Sequence, residues 1–120
     1  MRKARVLGAG LLTLAATGAL VTGTSTAASA ADTCPYPYVC IMINGTIKGQ
    51  FKEVTTGYQD LPSRPTGTSS SPVVVVNTRN DDTATIHFTS GSTTCIAPNK
   101  SFSVTGGTLD GIRISSSSTC

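Results

Sequence analysis

Hydrophobic and polar positions divide the chain into two unlike parts. The opening Met1-Arg2-Lys3-Ala4-Arg5 carries three positive charges, and Val6 to Val21 then run through Leu, Ala, Gly and Val with only Thr13 and Thr17 interrupting. A charged start followed by an apolar middle is the pattern of an export signal, and Ala28-Ser29-Ala30 supplies the small residues that a signal peptidase accepts. The apolar stretch is shorter than the ~20 residues that a membrane-spanning helix needs, and no basic stop-transfer cluster follows it. Residues 1–30 are therefore expected to be cleaved and residues 31–120 to be released as a single domain. No membrane association is expected after cleavage.

Beyond residue 31 no helical apolar period persists, while short β-branched runs alternate with Gly, Ser, Thr, Asn and Pro. The pattern predicts an all-β domain with strands at 38–43, 50–54, 73–77, 83–89, 93–96, 100–104 and 111–115. Asn44-Gly45 and Ser90-Gly91 are hairpin signals, because both dipeptides tolerate the positive φ of a tight turn. They also mark a weak repeat. Each half runs strand, turn, strand with a Phe (Phe51, Phe102), glycine-containing loop, then an aliphatic strand (Val73 to Val76, Ile112 to Ile114). A doubled four-strand unit with a long return loop at 61–71 reads as two Greek keys. The competing reading is a low-complexity linker between unrelated hairpins.

Charge changes the picture by exclusion. Three of the nine basic residues lie in the signal, leaving Lys48, Lys52, Arg64, Arg79, Lys100 and Arg113 against six acidic residues. These cations are scattered singly, whereas phosphate backbones need them clustered, so no nucleic acid is expected as partner. Six aromatics make a thin core for such a small domain, which then needs staples. Cys34, Cys40, Cys95 and Cys120 supply them, an even number in an exported chain. Of the three possible pairings, Cys34 with Cys40 is favoured because Pro35 and Pro37 fix a short turn between them, which leaves Cys95 for Cys120. Such bridges stabilise by about 2.4 and 3.5 kcal/mol through loop entropy. Zinc is disfavoured, since no C-x-x-C pair occurs and His87 is the single histidine.

Catalytic chemistry finds little to work with. His87 lies in an alternating strand among threonines, as an exposed polar-face residue, and no nucleophile or orienting partner is evident nearby in sequence. Glu53 and Asp60 read as a strand-edge charge and a loop residue, and Gly106-Gly107 leads into no helix that could cradle a phosphate. Asp81-Asp82, the one adjacent carboxylate pair, reads as a solvated turn. The protein is expected not to be an enzyme and to carry no metal or other cofactor. Asn44-Gly45-Thr46 and Asn99-Lys100-Ser101 are formal glycosylation sites, expected to be unmodified because the signal has a bacterial style.

Taken together, Cys34-Pro35 with Tyr38-Val39-Cys40, Phe51 to Val54, Gln59-Asp60-Leu61, Val75 to Thr78 and Ile112-Arg113-Ile114 resemble the exported peptidase inhibitors of the I36 type. That resemblance spans the mature chain. It implies a βγ-crystallin-like sandwich of two Greek keys, an extracellular protease as partner, metalloproteases foremost, and a monomer. Calcium-binding βγ domains have adjacent Asn or Asp residues and a Ser pair in each half. Here the pair is replaced by Asp110-Gly111 in the second half and is out of register around Ser69-Ser70-Ser71 in the first, so no metal site is carried over. The resemblance implies a substrate-like contact loop at Thr94-Cys95-Ile96-Ala97-Pro98, with Ile96 entering an apolar protease pocket. The alternative for Ile96 is a core position beside a structural bridge. The alternative for the whole protein is a non-inhibitory secreted module that binds calcium, glycan or protein.

Overall fold

A computed structural model describes residues 31–120; the signal segment lies outside the described residues. Eight antiparallel strands form two four-stranded sheets: β1 (Val39–Ile43), β2 (Thr46–Phe51), β3 (Gln59–Asp60), β4 (Val73–Asn77), β5 (Thr83–Phe88), β6 (Thr93–Ile96), β7 (Ser101–Val104) and β8 (Leu109–Ser115). One sheet has the order β2-β1-β4-β7 and the other β3-β8-β5-β6. Each half of the chain therefore keeps three strands in its own sheet and lends its third to the opposite one: β3 pairs with β8, and β7 with β4.

Local chemistry sets the turns. Asn44 (φ 51°) and Gly45 (φ 76°) both take the left-handed region, so the β1–β2 loop is two residues long and Ile43 pairs directly with Thr46. That is the geometry that suits the right-handed twist of a hairpin, and Asn-Gly is the pair that adopts it most easily. Pairing consequently begins at Thr46, four residues earlier than the apolar pattern suggested. Thr46, Lys48 and Gln50 stay exposed along this edge strand, which is why hydrophobicity alone did not mark it. Val54 keeps only an isolated bridge to Ile114. Two residues, Gln59 and Asp60, make up β3; no β-branched run announces them, and the strand forms because β8 offers an open edge.

The predicted crossing loop between β3 and β4 is pinned rather than loose. Thr66 and Thr108 share a hydroxyl contact of 2.7 Å, Gly67 N–H donates to the Gly107 carbonyl at 3.0 Å, and Leu109 N–H donates to Pro65 at 2.9 Å. Gly67 lies so close to the Val104 carbonyl that any Cβ there would collide with it.

The core sits between the two sheets. Val39, Ile41, Val73 and Val75 of β1 and β4 supply one side, Ala84, Ile86, Leu109, Ile112 and Ile114 of β5 and β8 the other, and Leu61 joins the same cluster. Phe51 and Phe88 are partly buried against this cluster, so aliphatic rather than aromatic residues fill the interior.

One buried polar residue ties the two sheets together. Asn77, at the end of β4, turns its amide NH2 toward the carbonyls of Asp82 (2.9 Å), Ile96 (3.2 Å) and Ala97 (3.2 Å). Its carbonyl accepts from Arg79 N–H at 3.0 Å, and its own N–H donates to Lys100 at 2.9 Å. Replacing it leaves buried carbonyls without donors. Asn77→Ala, and equally the acceptor-only Asn77→Asp, should cost roughly 3 kcal/mol and lower the melting temperature by about 15 °C. Calorimetry checks this; a drop of no more than ~2 °C, well under 1 kcal/mol, would show that Asn77 is not the tie.

Candidate functional site

The segment Thr94 to Pro98 does not present Ile96. Ile96 is only 3% exposed and belongs to the core cluster, opposite Ala84 in the β5–β6 ladder. The reason is the twofold alternation of a strand. Cys95 points to the outer face of its sheet, where it bonds Cys120, so its neighbour must point inward. A disulfide on the outside and an outward Ile96 are mutually exclusive on adjacent residues of one strand. Thr94 is half-buried in the same ladder, opposite Ile86. Ala97 and Pro98 are half-buried, and the Ile96 and Ala97 carbonyls are held by Asn77. The core alternative for Ile96 is the one this geometry adopts.

The loop closed by Cys34 and Cys40 has the opposite character. Tyr36 at its tip is 64% exposed, the most exposed large hydrophobic residue among those described. Pro35 and Pro37 flank it, and Tyr38 N–H donates back to the Pro35 carbonyl at 2.9 Å. The base of the loop is clamped from the segment after Asn77. Thr78 Oγ1 donates to the Tyr38 carbonyl at 2.7 Å, and Arg79 Nη1 donates to Pro37 and Lys52 carbonyls, both at 3.0 Å. Lys52 Nζ stands 5.7 Å above the Tyr38 ring.

Arg79 is itself fixed by Asp82, with Nε and Nη2 at 2.7 and 2.6 Å from the same carboxylate oxygen. Asp82 is therefore a buried structural anion rather than a solvated turn residue, and only Asp81 stays exposed. No group of three or more His, Cys, Asp and Glu that could hold a metal occurs among the described residues. No helix among them is long and apolar enough to cross a membrane. The two disulfides fit an oxidising compartment.

A third locus lies on the outer face of the second sheet. His87 Nδ1 donates to Asp110 at 2.6 Å, Tyr58 stands 5.0 Å from the His87 ring, and the Arg113 guanidinium lies 5.1 Å from the Tyr58 ring. His87 is thus half-buried and partnered, where the strand pattern suggested an exposed residue. Asp110 is 23 positions away, and only the β5–β8 pairing brings the two together. Thr83 and Thr85, on what the alternation marks as a polar face, are buried, and they line one hollow together with Tyr58, Cys95 and Cys120.

Family models, curated proteins and solved structures contain no significant match to the chain. The I36 resemblance therefore rests on the motif residues alone.

The burial of Ile96 has a direct consequence. Ile96→Asp would place an unpaired carboxylate between the sheets, and the domain should lose roughly 4 kcal/mol or fail to fold. Thermal melting by circular dichroism measures this, and a melting temperature like the parent's would return Ile96 to the surface.

Proposed function

We propose that the chain is an exported, non-catalytic βγ-crystallin-like module of two Greek keys that inhibits extracellular proteases, metalloproteases foremost. The contact we assign to it is the Cys34–Cys40 loop, with Tyr36 as anchor, in place of Thr94 to Pro98. The observation that carries the reading is that this loop bears the most exposed large hydrophobic side chain among the described residues and is itself fixed by hydrogen bonds. Tyr36 projects from it while the carbonyls of Pro35, Pro37 and Tyr38 are each hydrogen-bonded.

Preorganisation is what an inhibitor of this kind needs. A loop already held in its bound shape avoids most of the ordering cost that a flexible peptide incurs, so more of the contact energy appears as affinity. Tyrosine suits the anchoring role, offering a large amphipathic surface with few rotatable bonds. Should a protease cut within the loop, the disulfide still joins the two ends, and the cut product stays in place to be resealed or held. The exchange of β3 and β7 between sheets supports the Greek-key part of the reading, since two interlocked four-strand units have this strand order. The paired cysteines and the signal-like opening support export.

The test is residual activity of thermolysin and of a serine-protease panel with stoichiometric purified protein. Inhibition of at least one metalloprotease is expected. Tyr36→Ala should weaken it by about 2 kcal/mol, some thirtyfold, with stability changed by no more than ~0.5 kcal/mol. Undiminished activity across the whole panel would sink the inhibitor reading and leave a non-inhibitory binding module. Inhibition unaffected by Tyr36→Ala would sink only the choice of loop.

A further inference from the structure

The two disulfides differ in what surrounds them. Cys40 lies in β1 with none of its surface exposed, and Cys34 is half-buried. Cys95 and Cys120 are both exposed, and both line an open hollow of about 330 Å³.

Thiol–disulfide exchange needs a thiolate to reach one sulfur and the other sulfur to leave as a thiolate. At Cys34–Cys40 neither direction is easy. Attack on Cys40 has no path from solvent, and attack on Cys34 would expel the Cys40 thiolate into a site closed to water, where burial disfavours the charged form. At Cys95–Cys120 both sulfurs belong to exposed residues, so the departing thiolate is hydrated whichever one is attacked.

What the second bridge holds is a segment with little else to hold it. Residues 116–120 follow β8, are exposed throughout and contribute nothing to the core cluster. The Ser117 carbonyl accepts from Thr83 N–H at 2.9 Å, and this is the one hydrogen bond from the segment to another strand among the described residues. The others, Ser117 N–H to Ser115 Oγ, Ser117 Oγ to the Thr119 carbonyl and Thr119 N–H to Ser117 Oγ, stay within the segment and the end of β8. The sheet itself does not lean on the bridge. β6 is laddered to β5 from Ala84–Ile96 to His87–Thr93, and Ile96 is anchored in the core.

We propose that Cys95–Cys120 is a thiol–disulfide exchange site for low-molecular-weight monothiols, and that opening it frees residues 116–120 while the two sheets and the Cys34–Cys40 bridge stay intact. In the first step the thiolate sulfur bonds to one bridge sulfur as the Cys95–Cys120 bond breaks, and the other cysteine leaves as a thiolate. A second thiolate then attacks the mixed disulfide and departs with the first as a small-molecule disulfide. The bridge has gained two electrons and the two monothiols have lost them. No step involves contact between the Cys34–Cys40 loop and a protease, so the proposal is independent of the function proposed above.

The test incubates the native protein with reduced glutathione at millimolar concentration, halts exchange with acid, alkylates the unfolded chain and maps its cysteines by mass spectrometry. Cys95 and Cys120 should open at least about tenfold faster than Cys34 and Cys40, with the sheet signal in circular dichroism retained over the same time course. Amide hydrogen exchange should rise at Thr83 and at residues 117–120 while Val75 and Ile86 stay protected. Cys120→Ser, which lacks the bridge from the start, should fold and show the same freed segment. Equal rates at the two bridges, earlier opening of Cys34–Cys40, or loss of the sheet signal together with the second bridge would each overturn the proposal. So would a Cys120→Ser variant that does not fold, or persistence of both bridges in glutathione.

Discussion

The amide of Asn77 is the constraint on which the rest of the structure depends. A two-sheet sandwich of this size has an aliphatic core, which is non-directional and would tolerate sliding of one sheet over the other. Asn77 removes that freedom, because its NH2 meets carbonyls from the β4–β5 link and from the end of β6, while its backbone stays in β4. The next two residues extend the same knot outward. Thr78 and Arg79 grip the Cys34–Cys40 loop, and Asp82 closes the circuit back onto Arg79. The presented tyrosine is thus a few bonds away from the residue that sets sheet against sheet.

Much of this architecture was legible in the residue pattern. The Val73 to Val76 run, the alternation at Thr83 to His87 and the two hairpin dipeptides each carry a local cause, and local causes survive into the fold. The cysteine pairing was legible for the same reason, since two prolines within a short span hold Cys34 near Cys40. What was not legible lies where tertiary pairing overrides local preference. β3 forms from Gln59 and Asp60 only because β8 has an edge to fill, and the edge strand β2 exposes polar side chains that obscure its start.

The functional residues divide along the same line. Ile96 looked like a presented residue because Cys, Ile and Pro fall together in sequence, yet strand alternation sends Cys95 and Ile96 to opposite faces once Cys95 is bonded on the outside. Adjacent-residue parity could have signalled this. The Arg79–Asp82 ion pair sits at three-residue spacing and is visible in sequence, but His87 with Asp110, and Arg113 with Tyr58, meet only through strand pairing. Sequence separation hides such groupings unless the pairing is already known.

The lending of β3 and β7 across the sandwich bears on how the domain comes apart. Neither half of the chain contains a finished sheet, since each lacks the edge strand that only the other supplies. A half that unfolded alone would strip one strand from its neighbour's ladder and open the shared core to water, so no stable half-folded species has a surface it can present. Loss of structure must then be all-or-none across residues 39–115, although the chain reads as two consecutive repeats. Folding is governed in the same way by the long-range pairings of β3 with β8 and β4 with β7, which places it among the slow, high-contact-order β-domains rather than among modules assembled one repeat at a time.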